Sequence, residues 1–209
     1  MRLYTALLQG KEEILVAFEA GNTAYILSRL AKLSPKLKFT DMNDFISRAN
    51  YETRAVLRSL SQNLDAFDGA SVCLDQVKLL APIVHPHQDV ICLGINYAAH
   101  AREAGDFSRE AFGGERPYTI YFSKRVNRAT ATGETIPSYE GLVDSLDYEV
   151  ELGVVLGKDV KGVSEDEALD SVFGYTIIND VSARNLQTRH KQWYLGKSLD
   201  GFTPMGPCI

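Results

Sequence analysis

The chain has 209 residues, 45% hydrophobic and 23% charged, the proportions of an ordinary globular protein with room for one sizeable domain or a medium domain and an appendage. Its net charge of −5 argues against a nucleic-acid or anionic-membrane partner, so positive groups that meet an anionic ligand must be local to a pocket. No apolar run approaches the roughly 18 residues of a membrane span, and the start "MRLYTALLQG" lacks the pattern of a signal peptide. Cys73, Cys92 and Cys208 lie far apart, which suits reduced thiols in a cytoplasmic protein.

Residues 1–75 read as a small α+β domain. "MRLYTALL" and "EILVAFEA" have β character around the turn "QGKE", while "NTAYILSRLAKL" and "TDMNDFISRANYETRAVLRSLSQNL" carry apolar residues at helical spacing, with Thr40 as N-cap. From 76 to 209 the texture is β-rich: "VKLLAPIV", "DVICLGINY", "YTIYFSK", "YEVELGVVLG" and "GYTIIND" are strand-like between loops rich in glycine and proline. One helix is expected after the Ser164/Glu167 capping box, with Ala168, Leu169, Val172 and Phe173 as its apolar face and Gly174 as its stop. The fold class is therefore α+β. No dinucleotide or P-loop signature follows a strand.

The acids of "SLDYEVELGVVLGK" pose a question. Side chains two apart on a strand share a face, so Glu149 and Glu151 converge; a solvated face would give the same alternation. Asp180 ends another apolar strand, where solvation is less expected, and three hard oxygen donors on neighbouring strand ends suit Mg²⁺ or Mn²⁺. His100 and Glu103, three apart in "LGINYAAHAREAGDF", are spaced to share a hydrogen bond that raises the imidazole's basicity, or they are an accidental pair on an exposed helix. The glycines around them (Gly94, Gly105, Gly113, Gly114) suit a lid. Arg184, Gln187 and Lys197 are able to bind an anion or oxyanion, although each alone is more often a surface residue. His85 and His87 lack a third ligand nearby, Trp193 reads as packing and Cys92 as a small core residue.

"GINYAAHAREAG", "DYEVELGVVLGK", "GYTIINDVSARNLQ" and "QWYLGKSLDGFTPMGP", in this order, resemble the fumarylacetoacetate hydrolase family from about residue 82 onward. The resemblance implies a β-rich catalytic domain of mixed sheets in a partly open barrel or roll, built around a divalent metal (Mg²⁺ or Mn²⁺, with Ca²⁺ possible) and assembled as a homodimer. It implies that Glu149, Glu151 and Asp180 are metal ligands, that His100 and Glu103 activate water, that Lys197 is an active-site lysine and that Gln187 hydrogen-bonds the reacting carbonyl. Arg184 and Lys124 are then expected to bind substrate, and Asp147 has no direct part.

The implied reaction is hydrolysis of a C–C bond in a small acylpyruvate-like or dioxo carboxylate through a metal-stabilised enolate. Isomerisation, decarboxylation or hydration on the same site, or a non-catalytic binding or structural subunit, are the alternatives. The family pattern continues beyond "GPCI", through further strands and a glycine-rich loop.

Overall fold

The computed structural model describes residues 1–63, 67, 69–95, 97, 118–189 and 192–209. Strands β1 (Arg2–Leu8) and β2 (Lys11–Ala17) form the expected hairpin, in register from Arg2 opposite Ala17 to Leu8 opposite Lys11. They join β3 (Thr23–Ile26), β4 (Ser71–Cys73) and β5 (Lys78–Leu80) in an antiparallel sheet of order β4-β3-β2-β1-β5. Both faces are covered, which is why its strands are almost unbroken apolar runs. Leu3, Ile14 and Val16 face helices α1 (Leu27–Leu30), α2 (Met42–Arg48) and α3 (Tyr51–Leu60), whose Leu30, Phe45 and Leu57 complete one core. Tyr4, Leu15 and Ala17 pack beneath Leu74, Val77 and Leu79 on the other side.

Helical spacing misleads at two points here. "TAYI" is strand β3, because Tyr25 and Ile26 pair with β2, and only one turn of helix follows. The second helical stretch is two helices broken at Ala49 and Asn50. Asp41, not Thr40, caps the first by accepting from the Asp44 amide at 2.9 Å, and Asn50 caps the second by accepting from the Thr53 amide at 3.1 Å.

The second half is built from antiparallel ribbons: β6 (Val90–Gly94) with β7 (Ile120–Lys124), β8 (Leu146–Asp147) with β11 (Ser182–Ala183), and β9 (Val150–Leu156) with β10 (Val172–Asn179). This is the expected α+β class with a β-rich second part. Among the described residues, three short α-helices accompany it: α4 (Glu165–Ala168), α5 (Arg184–Arg189) and α6 (Tyr194–Lys197).

The capping box starts α4 as expected, the Glu167 carboxylate accepting from the Ser164 amide and hydroxyl. The helix stops after one turn, however, and Val172, Phe173 and Gly174 belong to β10, paired with the end of β9. Val155, Phe173 and Ile209 pack against the N-terminal core, Phe173 edge-on to Phe45 with ring centroids 5.9 Å apart. Reciprocal backbone hydrogen bonds tie Leu3 to Ile209, at 2.9 and 3.0 Å.

Candidate active site

The alternation along β9 runs opposite to the usual one. Val150, Leu152, Val154 and Leu156 are exposed, whereas Glu149, Glu151, Gly153 and Val155 turn inward. The β10 register continues past Asn179, so Asp180 lies beside Glu149, and the Asp180 amide donates to the Glu149 carbonyl at 2.7 Å. The acids of this strand therefore face the protein, not water. Burial of a carboxylate is tolerated only with compensating donors, and the structure supplies them.

The Lys197 ammonium, at the end of α6, stands between two carboxylates, donating to Glu149 Oε2 and, at 2.7 Å, to Asp180 Oδ2. The Arg184 guanidinium contacts Asp147 Oδ2 at 2.7 and 2.9 Å, Glu149 Oε1 at 2.9 Å and Gln187 Oε1 at 2.8 Å. Lys124, fully buried at the end of β7, donates to the Val181 carbonyl at 3.2 Å. Its ammonium is also 2.6 Å from Asp180 Oδ1, a buried ion pair.

Electrostatics follow from these contacts. Burial alone would raise the Glu149 carboxyl, but the charges and hydrogen bonds of Lys197 and Arg184 outweigh it and hold it at about 2. Burial pushes the Lys124 ammonium below its ordinary value, with Asp180 opposing. Burial, helped by the Asp180 charge, pushes the Cys92 thiol up to about 12. Cys92 is thus a packed thiol rather than a nucleophile.

Of the residues singled out in the sequence, Glu149, Asp180, Lys197, Lys124, Arg184 and Gln187 come together in one cluster. Glu151 shares the inward face, two residues along from Glu149, close enough for its charge to act on Cys92. His100 and Glu103 lie outside the described residues. His85 is turned to the Asn127 carbonyl at 2.8 Å, and Trp193 packs edge-on against Phe122. Asp147, which had no expected part, anchors Arg184.

Three supports were not legible in the sequence. The Ser182 hydroxyl lies 2.9 Å from both Glu149 Oε2 and the Asp180 carbonyl, and Asn179 Oδ1 accepts from the Glu149 amide at 3.0 Å. Gly196 lets α6 lie directly on α5: a Cβ there would sit 2.6 Å from the Gln187 nitrogen and 2.8 Å from the Ala183 carbonyl oxygen. The signal was present as a glycine immediately before the lysine in "YLGKS".

Among the described residues, no three Asp, Glu, His or Cys side chains enclose an ion-sized space as they stand, because Lys197 occupies the point on which Glu149 and Asp180 converge. The donor chemistry nevertheless fits a hard divalent cation. Two carboxylates already share one positive charge, Asp180 meets a second ammonium at its other oxygen, and Glu151 extends the set along the same face.

Known proteins resemble this chain in sequence and fold. Residues 89–209 match the model of the fumarylacetoacetate (FAA) hydrolase C-terminal family. The oxaloacetate tautomerase YisK of Bacillus subtilis is 48% identical over 136 residues, which are 65% of this chain and 44% of that protein. The chain thus matches less than half the length of this curated relative. The solved fumarylacetoacetate hydrolase of Exiguobacterium antarcticum superposes with a TM-score of 0.76 at 33% identity, covering 100% of this chain and 66% of that one. The 2-hydroxyhepta-2,4-diene-1,7-dioate isomerase of Mycobacterium marinum gives 0.66 at 26% identity, covering 100% and 65%. With more than half of its length matched, the buried charged cluster included, the chain belongs to the fumarylacetoacetate hydrolase family.

Proposed function

We propose that the chain carries the metal-dependent catalytic site of an enzyme acting on a small 2-oxo carboxylate of the acylpyruvate or oxaloacetate type. The observation that carries this reading is the buried cluster in which Lys197 sits between Glu149 and Asp180 with Arg184, Gln187 and Lys124 braced around them. Lys124, Arg184 and Lys197 face the carboxylates of Asp147, Glu149, Glu151 and Asp180. Among the described residues of the cluster, that leaves one negative charge in excess. A divalent cation reverses the sign, and the site then suits an anionic substrate. Two relatives are named for oxaloacetate and for a 2-hydroxydienedioate; the first is a 2-oxo dicarboxylate and the second is the enol of one.

In this reading Glu149, Glu151 and Asp180 hold Mg²⁺ or Mn²⁺, which when bound polarises the substrate's keto oxygen. Arg184 fixes Glu149 and Gln187 at once, and the Gln187 amide N–H groups face a developing oxyanion. Lys197 holds or delivers the proton that moves at the carbon beside the keto group. Lys124 adds positive charge beneath Asp180. C–C hydrolysis requires an activated water, the part that the family resemblance implies for His100 and Glu103. Tautomerisation, isomerisation and decarboxylation require no such water.

Turnover of acylpyruvates, oxaloacetate and unsaturated 2-oxo dioates with Mg²⁺ or Mn²⁺ tests the proposal. Glu149→Ala and Asp180→Ala are expected to abolish turnover and tight divalent binding together. His100→Ala should lower hydrolysis by about 10²–10⁴-fold and leave metal affinity nearly intact. If the reaction is tautomerisation or decarboxylation, that variant loses far less. No turnover on any of these acids by the folded natural gene product, or unchanged metal affinity in both carboxylate variants by calorimetry, overturns the reading.

A further inference from the structure

A second cleft, of about 810 Å³, opens between the N-terminal helices and the far end of the β9–β10 hairpin. Its volume is in the range of small-molecule sites. One wall is a single face of α3, carrying Tyr51, Arg54, Arg58 and, one turn beyond, Gln62; the other holds Lys158, just after β9, and Ser171, just before β10. It is separate from the catalytic cluster, because β9 and β10 each run from one to the other. Their seven or eight residues span about 20–25 Å.

The charge of this wall calls for an explanation. The molecule carries −5 overall, yet Arg48, Arg54, Arg58 and Lys158 line the cleft, and the one lining carboxylate among the described residues is Asp170. Arg48 is taken by Asp44. Arg54 and Arg58 are exposed and have no ion pair among the described residues. They stand four apart on one helix, where like charges repel, and Arg54 lies in the helix's N-terminal half, where the backbone dipole disfavours a cation.

A second feature is independent of charge. Ser171 is only 3% exposed, its carbonyl accepts from the Gly157 amide at 2.9 Å, and its buried hydroxyl has no hydrogen-bond partner. A buried hydroxyl without a partner is costly, and since its oxygen has almost no accessible surface, a ligand in the cleft completes it only when the side chain turns outward. Beside it, Tyr51, 81% exposed at the rim, offers a ring face to whatever enters.

We infer that this cleft binds a small polyanion, a phosphate ester or polycarboxylate, with its charged groups held by Arg54, Arg58 and Lys158 and completed by the Ser171 hydroxyl. Paired guanidinium groups suit this chemistry, since each offers a planar fork of donors to two acceptor oxygens.

Calorimetric titration of the full chain at about 0.15 M salt, where diffuse attraction is screened, with inorganic pyrophosphate and separately with citrate distinguishes the two ligand types. Saturable binding of at least one is expected. Arg54→Gln combined with Arg58→Gln should weaken it at least tenfold without lowering the melting temperature, since both side chains are exposed, their mutual repulsion is relieved and glutamine is a good helix former. Ser171→Ala should weaken it a few-fold. Lys197→Met, in the catalytic cluster, should leave it unchanged. Absence of saturable binding of either probe, equal affinity in the double arginine variant, or loss of binding in Lys197→Met each overturns the inference, the last by placing the anion in the catalytic cluster.

Discussion

At the scale of single residues, the candidate site depends on neighbours that hold charged groups in place. Gly196 is the sharpest case, because any side chain there collides with the backbone of Gln187. Gly196→Ala is expected to push α6 outward, move Lys197 from between Glu149 and Asp180, and cut kcat by about tenfold to a hundredfold, as misplacement of about 1 Å can. A matching stability loss of about 1–3 kcal/mol from overpacking should appear in urea titration. Arg128 and Glu134 give a pH prediction away from the site. Two hydrogen bonds from Arg128, at 2.8 Å each, and one from the Ala131 amide hold the Glu134 carboxyl at about 2, against an ordinary 4.5. Because the folded value is the lower, this pairing stabilises above about pH 4.5 and is lost as pH falls towards 2. Glu134→Gln should therefore flatten the decline of melting temperature below pH 4.5; an unchanged slope would remove the pair from the acid response.

At the scale of elements, caps and registers decide where the chain turns. The Asp41 cap of α2 is expected to contribute about 1 kcal/mol, so Asp41→Ala should lower the unfolding free energy by that amount, read as a lower urea midpoint at unchanged slope. The acid residues of "DYEVELG" and "IIND" were legible in the sequence, because strand period two places Glu149 and Glu151 on one face whatever the partner. That the acid face would be the inner one was not legible: it depends on Lys197, Lys124 and Arg184 arriving from three other elements. Local spacing failed where a partner strand overrode it. Val172 and Phe173 fit a helical stripe, but the backbone hydrogen bonds offered by β9 draw them into β10. Similarly, Tyr25 and Ile26 read as helix until β2 lies beside them.

At the scale of the whole molecule, the inward acids have a counterpart on the outside. Val150, Leu152 and Val154 of β9 are 74%, 62% and 53% exposed, and Tyr175 and Ile177 of β10, paired with Val154 and Leu152, are 50% and 55% exposed. This is a contiguous apolar strip, larger in kind than the scattered apolar residues of an ordinary surface. In the 209-residue chain, Leu152→Thr with Ile177→Thr should change stability by only about 0.5 kcal/mol, since neither side chain is buried. The same pair should sharply reduce fluorescence of a hydrophobic dye. Undiminished dye binding would show that the apolar surface lies elsewhere.

The tie between Leu3 and Ile209 bears on how the protein is made. Strand β1 leaves the ribosome well before the residue that pairs with its start, which lies 206 positions further along the chain. At the usual pace of synthesis, about 5–20 residues per second, the beginning of β1 waits on the order of ten seconds or more for this partner. Meanwhile β2 and β5 are already available to hold its other positions. The N-terminal sheet can therefore assemble early but closes along this edge only once Ile209 has been made, so pausing before that codon would prolong the exposure of the edge.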